Sequence, residues 1–278
     1  MAGAISYWTF RLGSTLRWYA GAKTRYDVHS PHLHEFIHDV YRDRRSYHAF
    51  DVIRAVRKTW SKSSDRVTLQ DLGAPSRTTR SRTRSAAGLV ASNAIGEEEG
   101  KFLFRLVLWL QPERVVEFGT NAGISTLYLH LADTRTPLYT VEGNAEVAGL
   151  AEASFARAGV SPQLRAFTST FTDWIARLPF GGKKRTLFFL DGDHRYRPTL
   201  DYVRHMLPLA TSESVFVIAD IHWSEEMESA WQELKQLPEV TASIDTYHFG
   251  VLFFRPELNG PHLALTPTRT KPWRVGFF

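Results

Sequence analysis

The chain contains no cysteine among its 278 residues. Disulfide bonds, thiolate nucleophiles and cysteine-ligated zinc are therefore excluded. The sequence also lacks any run near the roughly 20 apolar residues that a membrane-spanning helix needs, and it has no internal repeat or low-complexity tract. Its first residues lack the apolar core and small-residue cleavage site of a signal peptide. These absences favour a globular protein, and we predict a cytoplasmic location.

The excess of basic residues is small, because 34 lysines and arginines face 29 aspartates and glutamates. A net charge of +5 is modest for a nucleic-acid binder, so we do not expect nucleic acid as a partner. Part of the excess lies in a short segment rich in serine and threonine that contains Arg77, Arg80, Arg82 and Arg84. We interpret this segment as a solvated loop, with contact to a phosphorylated or acidic substrate as the alternative.

Residues 114–132, RVVEFGTNAGISTLYLHLA, are typical of a strand, a glycine turn and the start of a helix. Two valines and a phenylalanine suit a buried strand that ends before Gly119. Because Gly119 and Gly123 lack a Cβ, the backbone can turn tightly there and approach a ligand closely. Backbone N–H groups at the start of the following helix favour an anionic group. The segment therefore predicts a site for a nucleotide-type cofactor.

The spacing within this motif distinguishes one cofactor from another. A dinucleotide fingerprint requires G-x-G-x-x-G, whereas this chain has E-x-G-x-x-x-G from Glu117 to Gly123. An acidic residue at the strand end suits a cationic ligand, and S-adenosylmethionine carries an ammonium and a sulfonium but no phosphate. Glu142 follows the next predicted strand, where a carboxylate would bind a pair of ribose hydroxyls.

From about residue 97 to about residue 256, the sequence resembles the class I S-adenosylmethionine-dependent methyltransferases. RTLFFLDGDHRY resembles the fourth strand of that family, ending at Asp191, and SVFVIADIHW resembles the fifth, ending at Asp220. The chain shares the segments HSP and DIHWS with bacterial members of the family whose substrate is unassigned, and it resembles these members most. Its resemblance to the catechol and caffeoyl O-methyltransferases is more distant. The resemblance implies S-adenosylmethionine as cofactor and the following cofactor-binding residues: Glu117, Gly119, Thr120, Gly123, Ser125, Glu142, Ser169 and Asp191.

The remaining pattern alternates between strands and helices. It predicts strands at 138–141, 163–167, 186–190 and 214–219, and helices at 97–110, 145–158, 171–178, 197–206 and 225–236. Residues 241–256 resemble the antiparallel hairpin that closes a methyltransferase sheet. We therefore predict an α/β fold: a Rossmann-like seven-stranded methyltransferase sheet with helices on both faces, a closing antiparallel hairpin and an N-terminal helical extension.

Three regions are predicted along the chain. Residues 1–95 form the helical extension and linker, acting as a substrate lid or dimer contact; residues 96–256 form the methyltransferase domain; and residues 257–278 form a tail. An aromatic helix at 5–20 favours packing on its own domain or on a second subunit over contact with a membrane surface. Ser30 and Pro31 predict a helix at 31–43, and polar residues 61–96 indicate a linker or substrate-facing loop.

Polar side chains after the fourth and fifth strands are the candidate catalytic residues. Asp191, Asp193, His194, Asp220 and His222 are expected to converge, because open α/β sheets bind ligands beyond the carboxyl ends of their strands. In catechol-type enzymes the position of His194 holds the catalytic lysine, which makes His194 the candidate general base and His222 the second candidate. The alternative is that His194 only orders its loop by bonding to an aspartate.

A divalent metal is conceivable but not favoured. The resemblance implies that Asp191 and Asp220 match the acidic metal ligands of the catechol and caffeoyl enzymes. Those enzymes place asparagine after the second acid, whereas this chain has Ile221, which cannot ligate. His222 or Asp193 would have to substitute, and hard cations prefer oxygen donors.

The sequence thus predicts S-adenosylmethionine-dependent methyl transfer to a small-molecule acceptor. A hydroxyl acceptor is more consistent with the sequence than an amine. Many amine methyltransferases carry Asn/Asp-Pro-Pro-Tyr/Phe after the fourth strand, where this chain has Asp-Gly-Asp-His. One alternative is a dinucleotide-dependent oxidoreductase, although the glycine pattern of a dinucleotide site is broken. Others are a binding module without turnover and, last, a nucleic-acid methyltransferase.

Overall fold

A computed structural model describes residues 2–69, 83–258 and 260–266, with side chains from residue 7 onward. Within these residues the helices are α1 Ala2–Gly21, α2 Pro31–Phe36, α3 His48–Trp60, α4 Ala86–Asn93, α5 Glu97–Leu110, α6 Ile124–Ala132, α7 Ala145–Ala158, α8 Phe171–Ile175, α9 Tyr196–Met206 and α10 Glu225–Leu234. None of these helices is both long and apolar enough to cross a membrane.

The strands over the same residues are β1 Arg66–Thr68, β2 Thr83–Ser85, β3 Arg114–Phe118, β4 Leu138–Glu142, β5 Leu164–Thr168, β6 Thr186–Leu190, β7 Val215–Ala219, β8 Ala242–Asp245, β9 Phe249–Phe253 and β10 His262–Ala264. Strands β1 and β2 form a separate antiparallel pair. The other eight form one sheet in the order β10-β8-β9-β7-β6-β3-β4-β5.

The sheet confirms the predicted α/β fold and its closing hairpin. Strands β3 to β7 are mutually parallel, and β9 pairs antiparallel with both β7 and β8. The sheet has eight strands rather than the predicted seven, because β10, from the region assigned to the tail, pairs parallel with β8. This short strand covers the otherwise unpaired edge of β8.

The centre of the sheet is buried on both faces. Every residue of β3, β6, β7 and β9 is buried, as expected of strands with helices on both sides. In β6, Leu187 and Phe189 face a core shared with α2 and α5, whereas Phe188 and Leu190 face a core shared with α9 and α10. Because side chains alternate between the two faces, apolar residues fill both of them. The polar residues that follow the strands therefore lie at the carboxyl edge of the sheet.

The N-terminal region packs onto this sheet domain. Helix α3 contacts α6 and α7, and the indole Nε1 of Trp60 donates to Ser154 Oγ at 2.8 Å. The predicted helix at 31–43 begins at Pro31 as expected, but it continues from Ile37 to Tyr41 as π-helix.

The linker interpretation of residues 61–96 requires correction, because α4 lies within this segment. Ser85 caps this helix, which buries Leu89. Of the four arginines in that segment, Arg77, Arg80 and Arg82 lie outside the described residues, and Arg84 lies in β2.

Candidate active site

The loop after β3 adopts a backbone that only glycine tolerates at two positions. Gly119 has a φ of +100°, and a Cβ there would collide with the backbone carbonyl of Asp191. Gly123 has a φ of +80°, and a Cβ there would lie 2.7 Å from the ring of Phe155. At both positions the backbone is left-handed and there is no room for a Cβ atom. Only glycine meets both conditions, so these two residues determine the path of the loop.

Glu117 is a fully buried carboxylate beneath this loop. Its Oε2 atom accepts hydrogen bonds from Thr126 Oγ1 at 2.5 Å and Thr140 Oγ1 at 2.7 Å. Its Oε1 atom has no hydrogen-bond partner. Burial raises the pKa of Glu117, and the hydroxyl donors around it oppose that rise. A buried acceptor without a donor is costly, so this oxygen fits a ligand that brings a cationic or N–H group.

Glu142 lies at the end of β4 and is held by backbone amides. Its Oε2 atom accepts from the N–H of Asn121 and its Oε1 atom from the N–H of Asn144, each at 2.9 Å. Burial raises the pKa of Glu142, and the amide hydrogen bonds oppose the rise. The bond to Asn121 joins this carboxylate to the glycine loop. The group predicted to bind the ribose therefore lies next to the loop predicted to bind the methionine end of the cofactor.

The other predicted cofactor residues surround the same edge. Ser125 is buried in the first turn of α6, and Ser169, after β5, donates its backbone N–H to the carbonyl of Glu142 at 3.0 Å. The Thr120 hydroxyl lies 2.5 Å from that of Thr140, so its side chain faces inward, and its backbone N–H and carbonyl bond to Val141 and Gly123. Trp174 is only 4% exposed and packs in the core, which does not support adenine stacking by this ring.

Three side chains converge where β6 and β7 end. Nε2 of His194 lies 3.8 Å from Asp191 Oδ1 and 3.9 Å from Asp220 Oδ2. Asp220 has a φ of +55°, and its backbone N–H donates to the carbonyl of His248 at 2.8 Å. Burial raises the pKa of Asp191 well above 3.8, and the charges of Asp220 and Glu117 add to this rise.

The expected convergence is corrected for His222 and Asp193. His222 is buried, with Nδ1 2.8 Å from Glu228 Oε1 and Nε2 2.9 Å from Asp245 Oδ2. Burial lowers the pKa of His222, but the two carboxylates outweigh it and the net shift is upward. Asp193 pairs with Arg195 and accepts from the Tyr202 hydroxyl at 2.8 Å. Both side chains therefore form their hydrogen bonds away from Asp191, His194 and Asp220, the candidate catalytic cluster.

Asp191, His194 and Asp220 also form a donor set for a metal ion. Their ligand atoms all lie within 4.8 Å of one another, and no other such group of three occurs among the described residues. Two carboxylates and an imidazole suit a divalent transition metal better than Mg²⁺. The sequence argument missed this set because it gave His194 the role of base and sought a third ligand at Ile221, which is buried in the core.

Sequence reasoning also missed a second histidine–carboxylate pair near this cluster. His248 Nε2 lies 3.6 Å from Glu99 Oε1, and its backbone carbonyl bonds to Asp220. Glu99 lies in the first turn of α5 and His248 precedes β9, about 150 positions later in the sequence. No local pattern links the two, because only the packing of α5 against the sheet brings them together.

Comparison with known proteins agrees with this geometry. A family described as "Methyltransferase domain" matches residues 116–221. Catechol O-methyltransferase B of Danio rerio is 35% identical over 100 residues, which cover 35% of this chain and 38% of that protein. Catechol O-methyltransferase of Mycobacterium tuberculosis is 29% identical over 144 residues, covering 49% of this chain and 64% of the relative. The matched segments thus span less than two thirds of either relative.

Solved structures show the same architecture at low sequence identity. The O-methyltransferase of Bacillus cereus in complex with S-adenosylhomocysteine aligns with a TM-score of 0.54 at 15% identity, covering 80% of this chain and 96% of that one. This likeness concerns the fold. The chain therefore has the class I S-adenosylmethionine-dependent methyltransferase fold and is related in sequence to the catechol O-methyltransferases.

Proposed function

We propose that this protein transfers the methyl group of S-adenosylmethionine to a hydroxyl group of a small-molecule acceptor. The observation that carries the proposal is the buried Glu117 carboxylate, which has one oxygen without a donor beneath a loop that requires glycine. A cationic methyl donor satisfies that oxygen. The sequence relationship to catechol O-methyltransferases supports a hydroxyl acceptor.

The reaction needs alignment and removal of a proton. The acceptor oxygen attacks the methyl carbon, the bond from that carbon to sulfur breaks, and S-adenosylhomocysteine leaves as a neutral thioether. The hydroxyl proton must pass to a base. His194 is our candidate, because its imidazole lies between the carboxylates of Asp191 and Asp220, which stabilise the imidazolium that forms.

A bound divalent cation would give the same three residues another role. Asp191, His194 and Asp220 would hold the ion, which would supply Lewis acidity that lowers the pKa of a bound hydroxyl. His194 cannot serve as base while its Nε2 binds a metal. Metal dependence therefore separates the two roles of this histidine.

Calorimetry with S-adenosylhomocysteine tests the cofactor assignment. We expect binding to the native chain and about tenfold to hundredfold weaker binding to Glu142→Ala, because a charged hydrogen-bond acceptor is lost. Glu146→Ala is a matched control, since that carboxylate lies four residues further on and accepts from the Thr68 backbone instead. Absence of heat from the native chain would overturn the assignment.

A turnover assay separates an enzyme from a binding module. With S-adenosylmethionine and catechol as probes, we expect methylated catechol from the native chain and none from His194→Ala. Activity that survives extensive treatment with a chelator supports His194 as base, whereas activity restored only by Mn²⁺ or Zn²⁺ supports the metal role. Cofactor binding without turnover of any hydroxylated aromatic probe would contradict the proposed activity.

A further inference from the structure

A cavity of about 480 Å³ lies beside the catalytic cluster, between the N-terminal region and the sheet domain. Its walls come from α1, from residues 40–44, from the first turns of α5 and from the turn between β8 and β9. This volume lies within the range of sites that bind small molecules. None of the residues assigned above to the cofactor or to the catalytic cluster lines it.

The sheet register connects this cavity to the cluster. Ala219 pairs with Phe249 across the β7–β9 ladder, so the next residue, Asp220, lies opposite His248, as their backbone hydrogen bond shows. Facing residues of antiparallel strands lie about 5 Å apart. His248 and Phe249 both line the cavity. Along the sheet edge, the cofactor loop follows β3, the cluster follows β6 and β7, and the cavity lies over β9.

Aromatic rings form much of the cavity wall. Phe249 packs at 5.4 Å from Phe102 and at 5.8 Å from Phe189, which lies two residues before Asp191. Tyr247 is held in place from α1, because Thr15 Oγ1 lies 2.6 Å from its hydroxyl and Trp18 packs edge-on at 5.3 Å. Such walls favour a flat aromatic ligand, since ring edges and faces pack with high contact area.

The charges of the cavity differ between its two ends. Near the cluster, Glu99 is paired with His248. Further along α5, Arg105 meets Asp43, which is also bonded by Arg45. Residues 99 and 105 are six apart, which corresponds to about 9 Å along a helix.

An unpaired cation lies at the far end of the cavity. Because Asp43 is satisfied by two arginines, it does not neutralise Arg44, and among the described residues no ion pair or hydrogen bond of the Arg44 side chain occurs. The planar guanidinium of arginine pairs with a carboxylate through two parallel hydrogen bonds.

We infer that this cavity binds the methyl acceptor and that the acceptor is a hydroxylated aromatic carboxylate. Its hydroxyl group faces Glu99 and His248, the cavity residues nearest to Asp220, and its carboxylate reaches Arg44. The N-terminal region then determines acceptor specificity. This inference rests on the proposed methyl transfer, because it assigns the second substrate of the same site.

The test compares 3,4-dihydroxycinnamate with its methyl ester, which is neutral and otherwise nearly the same shape. Calorimetry measures both ligands on the full chain, with and without S-adenosylhomocysteine. We expect the native chain to bind the acid about tenfold more tightly than the ester, because one charge-assisted contact is lost. In Arg44→Gln the affinity for the acid should fall to that for the ester. Arg197→Gln is the control, since Arg197 is an exposed arginine on α9.

A second pair of variants tests the location. Thr15→Phe projects a ring into the cavity from an exposed position on α1 and should abolish binding of both ligands. Leu12→Phe is the matched control, because Leu12 lies on the same helix, is 63% exposed and does not line the cavity. Unchanged affinity in Thr15→Phe, no binding of either ligand to the native chain, or equal affinity for acid and ester would overturn the inference. Loss of S-adenosylhomocysteine binding with intact acid binding would instead contradict the proposed methyl transfer.

Discussion

The Nε2 atom of His194 lies 3.8 Å from Oδ1 of Asp191, and this carboxylate has a raised pKa. The two groups lie at the edge of β6, next to the loop that would hold the methyl donor. A base at this position would receive the acceptor proton as the methyl group moves. Asp191 belongs to both parts of the site. Its side chain lies near His194, and its backbone carbonyl lies against Gly119 in the loop proposed to bind the cofactor.

Replacement of His194 by glutamine should lower kcat and leave the cofactor affinity unchanged. Loss of a general base reduces a rate by about 10²-fold to 10⁴-fold. Turnover of catechol and binding of S-adenosylhomocysteine would be measured for the same preparation. His205→Gln provides a control, because His205 is an exposed histidine on α9. A rate within twofold of the native rate would exclude His194 as base.

Glu117→Gln should stabilise the protein without ligand and weaken its binding of S-adenosylmethionine. The folded protein holds the Glu117 proton more tightly than the unfolded chain does, because burial raises its pKa above 4.5. The native protein therefore loses stability as pH rises from that value through the folded pKa. We expect the advantage of the variant to grow over this pH range and to reach about 1–2 kcal/mol near pH 8.

Urea unfolding at several pH values checks this expectation, and calorimetry checks the accompanying loss of cofactor affinity. Glu146→Gln is the matched control, because its carboxylate lies at an exposed contact with the Thr68 backbone. An identical pH dependence in Glu117→Gln and the native chain would contradict the assignment of Glu117 as a buried acid with a raised pKa.

Gly119→Ala should abolish cofactor binding and lower stability by more than about 1 kcal/mol. The residue has a φ of +100°, and an added Cβ would collide with the Asp191 carbonyl, so strain and overlap add. Gly149→Ala is the control, because a Cβ there meets nothing within 4 Å inside α7. That control should gain about 0.5–1 kcal/mol. Similar melting temperatures for the two variants would show that the loop relaxes freely.

His222→Gln should destabilise the protein on the order of 3 kcal/mol, because it removes the imidazole that bridges the carboxylates of Asp245 and Glu228. The same network fixes α1, since Ser14 Oγ lies 3.1 Å from His222 Nδ1. Limited trypsin digestion should therefore cut the variant more readily at Arg11 and Arg17. Digestion at the native rate would mean that other contacts hold α1 in place. His205→Gln again serves as the control.

Much of the sheet domain could be predicted from local patterns. Helix α7 and strand β6 have the predicted limits, and the glycine loop after β3 lies where the sequence places it. Such elements are predictable because each carries its own signal: apolar periodicity, a cap, or a glycine where the backbone requires one. The roles predicted for Glu117 and Glu142 still await the calorimetric test.

The N-terminal region was harder to interpret. The polar composition of residues 61–96 hides α4, whose burial depends on α3 and on contacts from distant parts of the chain. The π-helical turns at Ile37–Tyr41 have no local signature either. Tertiary packing outweighs weak local preference in such segments.

By itself, the sequence determined the order of strands and helices, the glycine loop and the acids at the strand ends, because each depends on neighbours within a few residues. Only the tertiary structure decided which side chains meet. It turned His222 toward Asp245 and Glu228, joined Glu99 to His248 and placed Arg44 at a cavity beside the cluster. These pairings depend on strand register and helix packing across long sequence separations, which no local pattern encodes.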